Sequence, residues 1–158
     1  MKILKENFYL LLLTFNIYYK YRKYKMVFGK HLIIDASECN KNKIEDLNNI
    51  KNFIDVLCKV GKMEKKGDII IELFPETKFN IKNDLVGYSI VQIISLSNIT
   101  LHINFNSRTI YFDFFTCGNL KKDIIMFLFY IYFNPKTIKK IMLQRDAINT
   151  ELPFITRD

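Results

Sequence analysis

A chain of 158 residues with 49% hydrophobic residues is long enough to build one domain around a real core, and the lack of Pro/Gly/Ser tracts excludes a disordered linker protein. A formal charge of +8 invites comparison with nucleic-acid and membrane binders, but the lysines are scattered apart from the run KYRKYK at 20–25. With no nucleic-acid module signature in the chain, nucleic acid is not an expected partner. Cys39, Cys58 and Cys117 lie far apart with no CxxC pair, which fits neither a disulfide framework nor a zinc site and points to a reducing, cytoplasmic setting.

The N-terminal stretch FYLLLLTFNIYY (8–19) is apolar but too short to span a bilayer, which takes about 20 residues. No small-residue cleavage site follows it, as a signal peptide requires. Three readings remain: an interfacial anchor, an additional helix on the domain, or codons upstream of a start at Met26. The last two are preferred and a membrane role is not expected. The expected organisation is therefore an extension over residues 1–25 and one domain over 26–158.

From Met26 onward the pattern is regular. HLIID (31–35) is a short apolar run that predicts a strand. In NKIEDLNNIKNFIDVLCKVG, the spacing of Ile44, Leu47, Ile50, Phe53, Ile54 and Leu57 predicts a helix capped by Asn42 and stopped by Gly61. DIIIELF (68–74) predicts a second strand, followed by a loop to Gly87. YSIVQII (88–94), ITLHINF (99–105) and TIYFDFF (109–115) predict three more strands, with Asn106, Ser107 and Arg108 turning between the last two. LKKDIIMFLFYIYF (120–133) predicts an apolar helix ended by Asn134-Pro135, and TIKKIMLQR (137–145) a closing strand. The order β-α-β-β-β-β-α-β implies an α+β fold, a two-layer sandwich whose antiparallel or mixed sheet carries its helices on one face.

Three reactive side chains sit on one predicted hairpin: Ser97, His102 and Cys117. Alternation along the strand places Thr100, His102 and Asn104 on one face and the apolar Ile99, Leu101, Ile103 and Phe105 on the other, so His102 points away from the core. Folding the hairpin about Ser107 brings Ser97 and Cys117 together at its open end, subject to a slip of one residue. A strand-end thiol is either reachable for chemistry or a small core hydrophobe. No GxSxG elbow presents the serine, and His31 is the only other histidine, so both hydrolase readings are weak.

The motifs FGKHLIID (28–35), GYSIVQIISLSNITLH (87–102) and DFFTCG (113–118) resemble the short prokaryotic form of S-adenosylmethionine decarboxylase, a pyruvoyl-dependent enzyme. Its Gly-x-Ser, the Ser-x-x-Thr-x-His beginning eight residues after that serine, and its Phe-Thr-Cys-Gly fall at the family's spacing without a gap. The resemblance implies self-cleavage between Leu96 and Ser97. Ser97 becomes a pyruvoyl group, which serves in place of pyridoxal phosphate and without a metal. It further implies that His102 and Ser89 assist processing, that Cys117 is the proton donor of turnover, and that the cleaved chains form a homodimer with its active sites near the interface. Phe74 stands where the family stacks the substrate's adenine, and Asn106 where a glutamate binds the ribose.

The chain departs from the family at Leu96 and Asn98, which replace a glutamate and a histidine, and at Asn106 itself. An amide binds a hydroxyl less strongly than a carboxylate does. The substrate implied is S-adenosylmethionine, in polyamine (spermidine) synthesis. Arginine or ornithine, cationic amino acids without a ribose, are the alternative, and an uncleaved chain acting as a binding partner is the alternative of another class.

Overall fold

The computed structural model describes residues 29–74, 86–118 and 120–145, together with the backbone of 155–156. The expected extension over residues 1–25, and the start of the domain at Met26, lie outside these described residues.

Alternating apolar side chains make the strands, and the strands form a single antiparallel sheet. In chain order they are β1 (Gly29–Ser37), β2 (Ile70–Phe74), β3 (Gly87–Ile94), β4 (Ser97–Asn104), β5 (Thr109–Thr116), β6 (Thr137–Arg145) and the two-residue β7 (Ile155–Thr156). Their order across the sheet is β2-β3-β4-β5-β1-β6-β7. The first strand is thus inserted between β5 and β6, while β2 to β5 form a meander of sequential neighbours. The expectation of an α+β fold with an antiparallel sheet holds, with β7 as an added edge.

The predicted long helix is two helices, α1 (Lys41–Glu45) and α2 (Leu47–Gly61). Asp46 interrupts them in an extended conformation, and its carboxylate accepts from the Asn48 N–H to cap α2. Asn40, not Asn42, caps α1 by accepting from the Lys43 N–H. Gly61 is the last helical residue, and Lys62 closes the helix in the left-handed region at φ 53°. The third helix, α3 (Lys122–Phe133), starts two residues later than the pattern predicts and ends at Asn134 (φ 45°), ahead of Pro135.

All the buried helix faces meet one face of the sheet. Phe53 of α2 lies 5.8 Å from Phe112 of β5 and 4.9 Å from Phe133 of α3, all edge-on. Leu32, Ile34, Ile90, Ile99, Leu101 and Ile110 complete this core. The opposite face carries Ile70, Ile93, Tyr111 and Ile141 exposed to solvent, and no described helix packs there. Because Phe53 touches both helices' core and the sheet, Phe53→Ala is expected to destabilise the domain by about 3–5 kcal/mol. Urea unfolding, measured in a chain that also carries Ser97→Ala, checks this value.

Candidate active site

The hairpin places its reactive groups at two opposite ends of β4. At one end, β3 and β4 are joined by the two-residue turn Ser95-Leu96, with Ile94 opposite Ser97. Leu96 is 72% exposed and held in the left-handed region at φ 71°, where a branched side chain is uncommon. Ser97 opens β4 on the core-facing side. Its Oγ is buried and makes no hydrogen bond among the described residues.

Across the hairpin, Ser97 pairs with Thr116, so Cys117 follows immediately beyond the end of β5. The expected meeting of Ser97 and Cys117 is therefore observed, displaced by one residue because the connecting turn occupies four residues, 105–108, with Arg108 at φ 51°. The contact between the two ends is a backbone one, which residue types alone do not reveal. The Cys117 N–H donates to the Leu96 carbonyl oxygen at 3.3 Å. That carbonyl carries the Leu96–Ser97 peptide bond.

Cys117 is exposed, whereas Cys39 and Cys58 are buried. Burial pushes the Cys39 thiol up to about 11 and raises that of Cys58 as well, so both remain neutral core groups. Cys117 is thus the one of the three thiols open to solvent. His31 Nε2 lies 2.8 Å from Asp113 Oδ1 on the outer face.

At the other end of β4, Ser89 of β3 sits directly opposite His102, and Ser89 Oγ lies 3.0 Å from His102 Nδ1. Phe74 of β2 lies flat on the His102 ring, with centroids 4.6 Å apart and planes 7° from parallel. Gly87 makes this possible: a Cβ there would lie 1.7 Å from the Ile103 carbonyl oxygen and 2.8 Å from the Phe74 ring. Asn106 is exposed in the β4–β5 turn at the same end. Ser89, His102 and Phe74 thus form one group on the open side of the sheet.

The two groups do not meet within one chain. Ser97 and His102 are five residues apart on a continuous strand, about 17 Å at the usual strand rise, and point to opposite faces. The single hairpin grouping expected from the sequence is therefore two separate groups, at opposite ends of β4. Among the described residues no cluster of His, Cys, Asp and Glu is placed to hold a metal. No described helix is long and apolar enough to cross a membrane.

The fold and the sequence have counterparts in known proteins. A solved structure, the adenosylmethionine decarboxylase from Aquifex aeolicus, superposes with a TM-score of 0.62 at 21% identity, covering 79% of this chain and 96% of that one. The S-adenosylmethionine decarboxylase proenzyme of Pyrococcus horikoshii is 30% identical over 90 residues, and that of Pyrococcus furiosus is 29% identical over 90 residues. Each of these matches takes in 57% of this chain and 58% of the relative, so the chain spans little more than half the length of the curated relatives it matches. The sequence profile of the S-adenosylmethionine decarboxylase family matches residues 30–146, from the first strand to just past the sixth. The chain belongs to the S-adenosylmethionine decarboxylase family.

Proposed function

We propose that the chain cuts itself between Leu96 and Ser97 and then works as a pyruvoyl-dependent decarboxylase of S-adenosylmethionine, in the cytoplasm and in polyamine (spermidine) synthesis. The observation that carries this reading is the arrangement at the turn. An unpaired, buried Ser97 hydroxyl adjoins a left-handed Leu96, whose carbonyl oxygen already accepts a hydrogen bond from the Cys117 N–H. Ser97 Oγ attacks the Leu96 carbonyl carbon, and the Cys117 N–H stabilises the developing oxyanion. The C–N bond breaks, the hydroxyl proton passes to the freed amine, and an ester replaces the amide. Loss of the Ser97 Cα proton then expels the Leu96 carboxylate. The dehydroalanine left at position 97 takes up water and releases ammonia.

The cofactor is thus a part of the chain itself, and the residues present fit it: a serine hydroxyl without a competing partner, next to a polarised carbonyl. Once formed, the pyruvoyl group supplies the electron-withdrawing carbonyl that other amino-acid decarboxylases take from pyridoxal phosphate. The chain's own contribution to turnover is the Cys117 thiol, which delivers a proton to the substrate's Cα after carbon dioxide has left.

His102 and Ser89 are placed to move the proton at the elimination step, but from a second copy of the chain. Within one chain they are about 17 Å from Ser97. The open sheet face, with Ile70, Ile93, Tyr111 and Ile141 exposed, offers the surface on which two copies pack about a two-fold axis. The exposed Leu96 turn and Cys117, at the rim of that face, then meet the Ser89–His102 group of the other copy, so that its histidine reaches the Leu96–Ser97 bond around the end of β4, with Phe74 and Asn106 on the substrate side. Asn106 supports a second substrate reading, since an amide in place of a carboxylate weakens the hold on a ribose. Arginine and ornithine therefore belong beside S-adenosylmethionine in every assay.

Co-expression of two inactive variants tests this reading. Ser97→Ala alone and His102→Ala alone are expected to stay uncut, while the His102→Ala chain is cut when the Ser97→Ala chain is present to lend its histidine. A His102→Ala chain that stays intact in the mixture, while wild type is cut, contradicts the shared site.

A further inference from the structure

Residues 64–66, just beyond the helix cap of α2 at Lys62, run alongside the end of β3 and hold the turn that leads into the Leu96–Ser97 bond. The Ser95 N–H donates to the Glu64 carbonyl oxygen at 2.7 Å, and Ser95 Oγ accepts from the Glu64 N–H at 3.1 Å. The Lys66 N–H donates to the Ile93 carbonyl oxygen at 2.8 Å, and Lys65 forms a single antiparallel bridge with Ile94. This segment is itself fastened to α2: the Met63 N–H donates to the Cys58 carbonyl at 2.8 Å, and the Lys65 ammonium pairs with Asp55.

We infer that Ser95 is a positioning residue for self-cleavage and that residues 64–66 are a brace that presents the scissile peptide. This rests on the self-cleavage reading above. The turn has two residues, and Leu96 alone of the pair has positive φ. A non-glycine residue is held there against a cost of roughly 1–2 kcal/mol, so the conformation persists only while its surroundings impose it. Ser95 is gripped from both its N–H and its hydroxyl, which fixes the peptide ahead of Leu96. Release of that grip lets Leu96 relax toward the extended region. The Leu96 carbonyl then swings away from the Cys117 N–H, and its carbon leaves the reach of Ser97 Oγ. Ser95 touches no reacting atom and acts through Leu96.

The test follows cutting from the moment of synthesis, in a time course of the full chain translated in a cell-free system. Ser95→Ala removes the acceptor, and Glu64→Pro removes the donor of the same hydrogen bond. Each is expected to slow cutting by up to about tenfold, the loss of one hydrogen bond from the reactive conformation. The double variant is expected to be no slower than the slower single one, because both delete one interaction. Ser95→Thr keeps the hydroxyl and Glu64→Ala keeps the N–H, and both are expected to cut at the wild-type rate. A general weakening of the fold predicts instead that Ser95→Ala and Glu64→Pro multiply their effects. It also predicts that both lower the melting temperature of a Ser97→Ala chain in proportion to the lost rate. Ser95→Ala cutting as fast as a wild type that cuts, or multiplicative slowing, overturns the inference alone. A wild-type chain that never cuts overturns the self-cleavage reading and this inference with it.

Discussion

Cys117→Ala is expected to be cut at close to the wild-type rate yet to lose at least about a hundredfold in decarboxylation, the range in which removing a positioned general acid falls. The two effects separate because Cys117 has two jobs on two different atoms. Its backbone N–H holds the Leu96 carbonyl at 3.3 Å, and alanine keeps that donor. Its exposed thiol is the proposed proton donor to the substrate's Cα, and alanine lacks it. With no acid at that carbon, protonation falls on the carbon derived from position 97 instead. The substrate's nitrogen stays there and the enzyme is spent. The small fragment should then begin with alanine, so that an N-terminus blocked to Edman degradation becomes readable as turnover proceeds. Cys117→Ser is expected to retain part of the activity, since a hydroxyl can donate but is a poorer acid than a thiol. Rates on S-adenosylmethionine, arginine and ornithine, taken side by side, fix the substrate in the same experiment. Full activity of Cys117→Ala on whichever substrate the wild type uses would remove the thiol from the site.

Ser97→Ala is expected to abolish cutting altogether, the largest effect of any single substitution in the chain. Alanine has no oxygen to attack the Leu96 carbonyl, and neither the Cys117 N–H nor a histidine from a second copy can substitute for the missing nucleophile. The fold should persist, because Ser97 Oγ makes no hydrogen bond among the described residues that its loss would break. The variant should therefore appear on a denaturing gel as one intact band while unfolding as cooperatively as wild type. Accumulation of two fragments in Ser97→Ala would place the bond elsewhere.

Much of this fold is legible in the sequence because its strands alternate cleanly. In β4 the buried Ile99, Leu101 and Ile103 interleave with Asn98, Thr100 and His102, so faces and exposure follow directly from the pattern. The same alternation already separates Ser97 from His102, since an odd spacing of five along a strand reverses the face. Proximity at the strand ends alone hides that reversal. The break at Asp46 is not legible, because Ile44, Ile50, Phe53 and Ile54 keep a helical period across it, and Asn40 and Asn42 offer equally good caps. The hairpin register is off by one because turn length depends on backbone torsions such as the positive φ of Arg108, which no residue type there demands.

The parts of the site that escaped the sequence are backbone parts. The Cys117 N–H on the Leu96 carbonyl and the Ser95 N–H on the Glu64 carbonyl are contacts of main-chain atoms that every residue carries, so composition gives no signal for them. Side-chain chemistry was visible where it is specific: Ser89, Ser97, His102 and Cys117 at the family's spacing. Where the family's pocket residues are replaced, as at Asn106, the sequence leaves the substrate open, and the turn that carries Asn106 does not by itself decide it.

The intact mass of the purified wild-type protein tests the central claim most directly. Self-cleavage predicts two polypeptides that break between Leu96 and Ser97, the smaller beginning with a pyruvoyl group in place of serine and refusing Edman degradation until that group is converted to an amine. A single unmodified chain, with an unaltered serine at position 97 after prolonged incubation, would contradict the account.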